Sequence, residues 1–335
     1  MNKGIVYVGN TQPESYGVSV IVNNLVSVFN EHGIKASVIY SLDGISKDAF
    51  IIPYGVDMAV EMIKKGYKTN VVFLADAFTL GYINKIKFYL KHLNIFHYDF
   101  FYSVYCLLRD YRIETKVIRC FKKIAVVSQV DIEYLKKRSK PNTEFICIPN
   151  GANFIGVEPK TNSHHIRLGI LSSWWHTTLA EENDWFIRKY FVQYSRKHPD
   201  IKLYLAGKGS FIDQYRGIKN VEIMGEVENL NAFFRNIDVF VVPNPKGCGI
   251  LNRVLDAFAY KTCVIGHKNA FSGFTYMHDC FYDFEDYSTF EEKMDILANS
   301  EKKREELANN AFLSIKENND WEKNISKFIE FAMEQ

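Results

Sequence analysis

Long apolar runs are missing from this 335-residue chain. No stretch approaches the ~20 consecutive apolar residues needed to cross a bilayer, so the fold is not expected to rest on membrane-spanning helices. Closely spaced cysteines are missing too. The six cysteines, at 106, 120, 147, 248, 263 and 280, form no Cys-x-x-Cys pair. Scattered thiols fit a reducing compartment and argue against a disulfide framework or a zinc site. Nor is there an excess of one charge. Forty-one Lys and Arg against 39 Asp and Glu leave a formal charge of +2, too little to predict nucleic-acid binding. Low-complexity tracts and short repeats are absent as well. The first residues, Met1 to Gly4, lead straight into Ile5-Val6-Tyr7-Val8, a strand pattern. A signal peptide is therefore not expected, and a cytoplasmic location is.

What the chain does have is alternation. Its hydrophobic fraction of 47% and mean hydropathy of -0.16 suit a globular protein. Its length accommodates two domains. Short apolar runs alternate with helical stretches throughout. In the first half the expected strands are 5–8, 36–40, 50–53, 71–74, 124–127 and 145–148; in the second they are 167–171, 202–206, 221–224, 239–242, 263–266 and 281–284. Continuous apolar runs with helical crossovers predict parallel sheets covered on both faces. Pro149-Asn150-Gly151 and the polar residues through Ser163 read as a linker. One sheet of twelve strands would be large. The expectation is α/β, with two Rossmann-like domains at 1–155 and 164–317 whose parallel sheets face across a cleft that receives ligands at the strand C-termini.

The segment from Val239 to Ala259 carries the most chemistry: a strand, then Pro243-Asn244-Pro245-Lys246-Gly247-Cys248-Gly249, then a helix. At 100° per residue, Ile250, Leu251, Val254, Leu255 and Phe258 share an apolar face, and Gly249, Asn252, Arg253 and Asp256 lie opposite. Glycines ahead of a helix let a phosphate approach the free N–H groups of its first turn. Arg253 adds a fixed positive charge for a diphosphate. Asp256, one turn on, suits vicinal ribose hydroxyls. An ordinary loop–helix junction with a surface Arg–Asp pair accounts for the same spacing.

This segment resembles the donor-binding signature of GT-B glycosyltransferases of the retaining group 1 (GT4-like) family. There a strand, a Pro, small and acidic residues and a Gly-x-Gly precede a helix with Glu-Ala-x-Ala. Other pieces agree in order: Leu205-Ala206-Gly207-Lys208-Gly209; Val221 to Val227, including Glu226; Val126-Val127-Ser128; Ile148-Pro149-Asn150-Gly151; and Tyr16-Gly17-Val18-Ser19 as a reduced N-terminal glycine loop. The resemblance implies donor contacts at Gly17, Ser173, Lys208, Glu226, Val227, Gly249, Ile250, Leu251, Asn252, Arg253 and Asp256. It also implies that a C-terminal helix, 318–335 with Trp321, packs back on the first domain. Two departures stand out. The family's first acidic residue falls on Cys248. Its Arg–Lys pair early in the second domain is replaced by Ser172-Ser173-Trp174-Trp175-His176.

The resemblance further implies transfer of a hexosyl unit from a nucleoside diphosphate sugar to a hydroxyl acceptor, with retention. No metal and no cofactor are expected, the nucleotide sugar being a substrate. The acceptor is expected to be a surface or lipid-linked glycan. In the first domain Asp76 follows the strand at 71–74 and is the catalytic candidate, with capping of the next helix as the alternative. From Lys85 to Lys123, nine Lys and Arg face three Asp and Glu and are mixed with aromatics. That stretch suits peripheral contact with an anionic membrane face, or a solvated helix around an aromatic core. Two other classes remain open: a non-catalytic homologue acting as a partner subunit, suggested by Cys248, and a GT-B nucleotide-sugar epimerase.

Overall fold

Each of the twelve apolar runs forms a strand, with no end shifted by more than one residue. The computed structural model describes residues 5–12, 16–92, 94–154, 156, 160–161, 165–175 and 177–334. It divides into two units: Met1–Gly151 with Cys248–Ile250 and Asn318–Gln335, and Ala152–Gly247 with Leu251–Glu317.

In the first unit the order is β1 (Val6–Gly9), α1 (Tyr16–Glu31), β2 (Ala36–Ile39), β3 (Phe50–Pro53), α2 (Gly55–Lys65), β4 (Val71–Ala75), α3 (Phe78–Lys91), α4 (Tyr98–Cys120), β5 (Lys123–Val126), α5 (Gln129–Lys136) and β6 (Glu144–Cys147). All pairings are parallel, in the orders β2-β1-β3 and β4-β5-β6. A single parallel bridge from Tyr54 to Phe73 joins the two sets, and their rings stack 5.5 Å apart. Val72, Leu74, Ile124 and Val126 pack under Val117, Ile118 and Leu135 of the flanking helices. The C-terminal α12 (Trp321–Met333) seals the opposite side. Phe328 meets Phe29 and Phe73 edge-on, and Lys123 donates to the carbonyls of Phe331 and Glu334.

The second unit runs β7 (Arg167–Leu171), α6 (Thr177–Phe186), a π turn (Ile187–Phe191), α7 (Val192–Lys197), β8 (Lys202–Ala206), β9 (Val221–Gly225), α8 (Leu230–Arg235), β10 (Val239–Val242), α9 (Asn252–Ala259), β11 (Cys263–His267), β12 (Tyr282–Phe284), α10 (Tyr287–Asn299) and α11 (Glu301–Asn318). Its six parallel strands follow the order β12-β11-β10-β7-β8-β9. Two βαβ halves therefore wind outward from β7 and β10, and the strand order reverses between these two, where doubly wound sheets leave a crevice. The central strands read as unbroken apolar runs because both faces are covered; all four residues of β10 are buried. β9 lies at an edge, with its alternate residues Glu222 and Met224 exposed.

Candidate functional site

The crevice of the second unit forms where β7 and β10 part. They pair at Leu168 with Val239 and at Gly169 with Phe240, and among the described residues the pairing stops there. Arg253, in the first turn of α9, enters this gap. Its guanidinium donates to Asn244 Oδ1 and lies 3.5 Å from the Leu171 carbonyl and 3.4 Å from Ser172 Oγ. All three acceptors are neutral, and Arg253 makes no ion pair among the described residues. Burial pulls its pKa down, opposed by the charge of Glu182. A half-buried guanidinium with an unneutralised charge at strand C-termini is suited to bind an anion.

Asn244 is held in turn. Its Nδ2 donates to Glu182 Oε2 at 2.7 Å, while the Lys246 backbone N–H donates to Glu182 Oε1 at 2.9 Å. Lys246 Nζ meets Glu181 at 2.9 Å, and Asn269 Nδ2 donates to the Pro245 carbonyl at 2.6 Å. The loop after β10 is thus fixed on both sides. One turn past Arg253, the half-buried Asp256 has no side-chain hydrogen bond among the described residues, and burial pushes its carboxyl up to about 6. The apolar face of α9 is buried at Val254, Leu255 and Phe258, with Ile250 just ahead of it, and Leu251 occupies the N-cap position. Asn252 is the helix's first residue, and Gly249 has the left-handed φ of 69°.

The remaining expected donor residues are distributed differently. Ser173 is exposed, and it is the buried Ser172 that meets Arg253. Lys208 and Glu226 pair with each other at 3.3 Å, both largely exposed, with Val227 beside them in the chain. Gly17 falls at the start of α1, but its surroundings lie outside the described residues, as does His176. The Gly207-Lys208-Gly209 turn has a packing reason of its own. A Cβ on Gly207 (φ 119°) would lie 1.9 Å from the Ser172 carbonyl oxygen, and one on Gly209 2.4 Å from the Trp174 carbonyl carbon. Buried Trp174 ties the two loops, donating from its ring to the Ala206 carbonyl at 2.8 Å and from its backbone to that of Lys208 at 2.8 Å.

In the first unit a cavity of about 360 Å³ opens at the C-terminal ends of β1, β3 and β4 and is lined by Asn10, Tyr54, Asp76, Tyr82 and the Arg109–Asp110 pair. A register shift between Phe73 and Ala75 against β5, with Ala75 at φ 62°, immediately precedes Asp76. Burial and then the charge of Asp131, with a smaller contribution from Glu114, push the Asp76 carboxyl up to about 7. Arg109 holds Asp110 in a two-point pair at 2.5 and 2.8 Å. The cavity therefore combines a carboxyl that ionises near neutrality with several hydrogen-bonding groups, a composition suited to a polyhydroxylated ligand.

Comparison with known proteins agrees with this geometry. Residues 167–298 match the family model described as glycosyl transferases group 1. No curated protein sequence matches the chain. Among solved structures, sucrose-phosphate synthase from Thermosynechococcus elongatus superposes with a TM-score of 0.73 at 12% identity, covering 98% of each chain. WaaG, a glycosyltransferase involved in lipopolysaccharide biosynthesis, gives 0.64 at 12% identity over 99% of this chain and 100% of its own. HepE from Anabaena, in complex with UDP and glucose, gives 0.60 at 10% identity over 99% of each. The fold is GT-B. The chain resembles the group 1 glycosyltransferases.

Against the group 1 pattern, Cys248 stands at the first acidic position and is half-buried. Glu182, Asn244, Lys246 and Ser172 form the surroundings of Arg253, and none was among the residues expected from sequence. Nothing in the helical run around Glu181-Glu182 distinguishes a buried carboxylate from a solvated one. Asn244 and Lys246 sit inside the Pro/Gly-rich loop, where the glycines are the stronger sequence signal.

The basic, aromatic stretch is also resolved into faces. No helix among the described residues is long and apolar enough to cross a membrane. On α4, Ser103, Cys106, Asp110, Glu114 and Val117 are buried, whereas Phe101, Tyr105 and Leu108 are 58%, 60% and 69% exposed. Phe96, just before α4, is 87% exposed. The aromatics of this stretch are thus largely outside. Tyr89 and Phe121 are the buried ones.

Proposed function

We propose that the chain is a glycosyltransferase that moves a hexosyl unit from a nucleoside diphosphate sugar to a hydroxyl of a surface or lipid-linked glycan, with retention. The observation that carries this reading is the placement of Arg253 at the point where β7 and β10 part, with Asp256 one turn beyond, inside the segment matching the group 1 family model. In this reading the diphosphate lies against Arg253 and the first-turn amides of α9, and the ribose hydroxyls meet Asp256. The bond from the anomeric carbon to the diphosphate oxygen breaks, and the acceptor oxygen forms the new bond on the same face. Arg253 and the helix N-terminus stabilise the charge that develops on the leaving diphosphate, the kind of preorganised electrostatics that contributes most to such transfers. Asp76, with its carboxyl near neutrality, takes the acceptor's proton, and the 360 Å³ cavity holds the acceptor. The exposed aromatics of α4 rest on an anionic membrane face, where a lipid-linked acceptor would reside.

Turnover of a panel of nucleotide sugars, read as released UDP, GDP or ADP, tests the reading. One donor is expected to be hydrolysed slowly alone and faster with an acceptor, and chelator is expected to leave that rate unchanged. No turnover combined with nucleotide binding would favour the second reading, a non-catalytic partner subunit, which Cys248 at the acidic position supports. No binding of any nucleotide rules out the donor site and with it the transferase reading, and leaves the partner-subunit reading. Arg253→Ala is expected to weaken nucleoside diphosphate binding; unchanged affinity would remove its phosphate role.

A further inference from the structure

Arg253 has no carboxylate beside it to fix its direction, yet it is fixed. The shortest of its three contacts is to a side-chain amide. Glu182 and Asn244 are each 2% exposed, and they come from α6 and from the loop after β10. A carboxylate only accepts hydrogen bonds and a guanidinium only donates them. Asn244 between them has one arrangement that satisfies both neighbours: Nδ2 toward Glu182, at 2.7 Å, and Oδ1 toward Arg253. The second Glu182 oxygen is taken by the Lys246 backbone N–H at 2.9 Å, which fixes the carboxylate itself.

We infer that Glu182 is a positioning residue of the donor-phosphate site, acting through Asn244 to aim Arg253 without pairing with it directly. A direct Arg–carboxylate pair would aim the guanidinium equally well but would satisfy the charge that a diphosphate needs. The intervening amide transmits direction and keeps the carboxylate out of contact with the guanidinium, so that its charge acts on Arg253 only at a distance. Glu182, Asn244 and Arg253 belong to three separate segments converging where β7 and β10 part, so the relay is a tertiary feature of this site. The inference rests on the reading of Arg253 as a diphosphate ligand.

Titration calorimetry on the full chain with UDP, GDP and ADP, and competition by inorganic pyrophosphate, tests it. Glu182→Gln allows the Asn244 amide to turn and present its NH2 group to Arg253. The expected result is roughly a tenfold loss of affinity for the preferred diphosphate and for pyrophosphate. In an Arg253→Ala background the same substitution is expected to have no further effect. A purely structural role for Glu182 would give the same loss in both backgrounds, and that result, or unchanged affinity in Glu182→Gln alone, overturns the relay. Asn244→Ser, which cuts the link without adding charge, provides the same comparison if Glu182→Gln fails to fold, as judged by its melting curve. Wild-type chain that binds none of the three nucleotides overturns both the relay and the donor reading. Wild-type binding that Glu182→Gln leaves unchanged overturns the relay alone.

Discussion

Asp131 accepts the backbone N–H of Ala77 at 2.9 Å, supplying from α5 the cap that α3 lacks locally. The N-cap position of α3 is Ala77 itself, with no side-chain cap bond. Capping by Asp76, the alternative read from sequence, is therefore not what the carboxylate does. Asp76 follows a left-handed Ala75 and a register shift, and non-glycine residues with positive φ cost on the order of 1 kcal/mol, strain that tends to sit at functional sites.

The first prediction follows from that placement. Asp76→Asn is expected to lower turnover about 100-fold or more, the usual range for loss of a positioned acid or base. In the wild type, turnover should rise with pH to a plateau above about 7, where Asp76 is ionised. Stability runs the other way. A carboxyl whose pKa is raised on folding contributes stability below its unfolded value near 3.8 and loses it as pH climbs through about 7. Melting curves should show Asp76→Asn more stable than wild type at pH 8, with the difference shrinking toward pH 4. A variant that melts lower at pH 8 would contradict the assigned environment.

Asp256 gives a second prediction, on binding. Its carboxyl is pushed to about 6 by burial alone and is uncompensated by any side-chain hydrogen bond among the described residues. If it receives ribose hydroxyls, Asp256→Ala should weaken nucleoside diphosphates about tenfold, given that hydrogen bonds to charged groups contribute roughly 1.5–3 kcal/mol. Inorganic pyrophosphate, which has no ribose, should compete as well as before. Wild-type affinity for the nucleotide should fall as pH drops through about 6. Equal losses for nucleotide and pyrophosphate would assign Asp256 to the phosphates or to folding instead.

How much of this was legible beforehand depended on whether the signal was local. Buried parallel strands reveal themselves as apolar runs, so Val239–Val242 and its counterparts were readable. The 100° periodicity of α9 separated Val254, Leu255 and Phe258 from Arg253 and Asp256 for the same reason. Strand order was not readable, because it depends on which runs pair, and so neither was the parting of β7 and β10. Ser172 and Ser173 are not told apart by sequence, because successive residues leaving a strand point to opposite sides and the pattern alone does not say which side Arg253 occupies. Glu182 lay beyond reach because its partners are 62 and 64 residues away in the chain.

The Gly207 turn provides a third prediction, which separates packing from binding. An alanine there would drive a Cβ to 1.9 Å from the Ser172 carbonyl oxygen, a rigid backbone atom, at a φ of 119° that L-residues avoid. Gly207→Ala should therefore destabilise the second unit by about 2 kcal/mol or more, combining backbone strain with a forced shift of the Ser172 loop. Gly217→Ala, at a positive φ with open space around its Cβ, should cost less, about 1 kcal/mol. Thermal melts of both variants check the contrast. Comparable melting temperatures would mean that the close approach of the two loops does not constrain this turn.

The exposed face of α4 carries the last prediction. Phe101, Tyr105, Leu108 and Arg112 recur at spacings of four, three and four, one stripe of a helix whose opposite stripe, Cys106, Asp110, Glu114 and Val117, is buried. The aromatic stripe therefore points away from the core of its own unit. Burying four large apolar groups in a membrane interface at about 25 cal/mol per Å² is substantial, and each nearby Lys or Arg adds about 1 kcal/mol on an anionic surface. Wild-type chain should co-sediment with vesicles containing an anionic lipid and bind less as salt rises, since the charge contribution is screened. Substituting Phe96, Phe101, Tyr105 and Leu108 together by Ser should abolish co-sedimentation while leaving the melting temperature unchanged, because none of the four belongs to the core. Retained binding by the quadruple variant would place the membrane contact elsewhere or remove it altogether. A large fall in melting temperature would instead mean that these side chains support the fold.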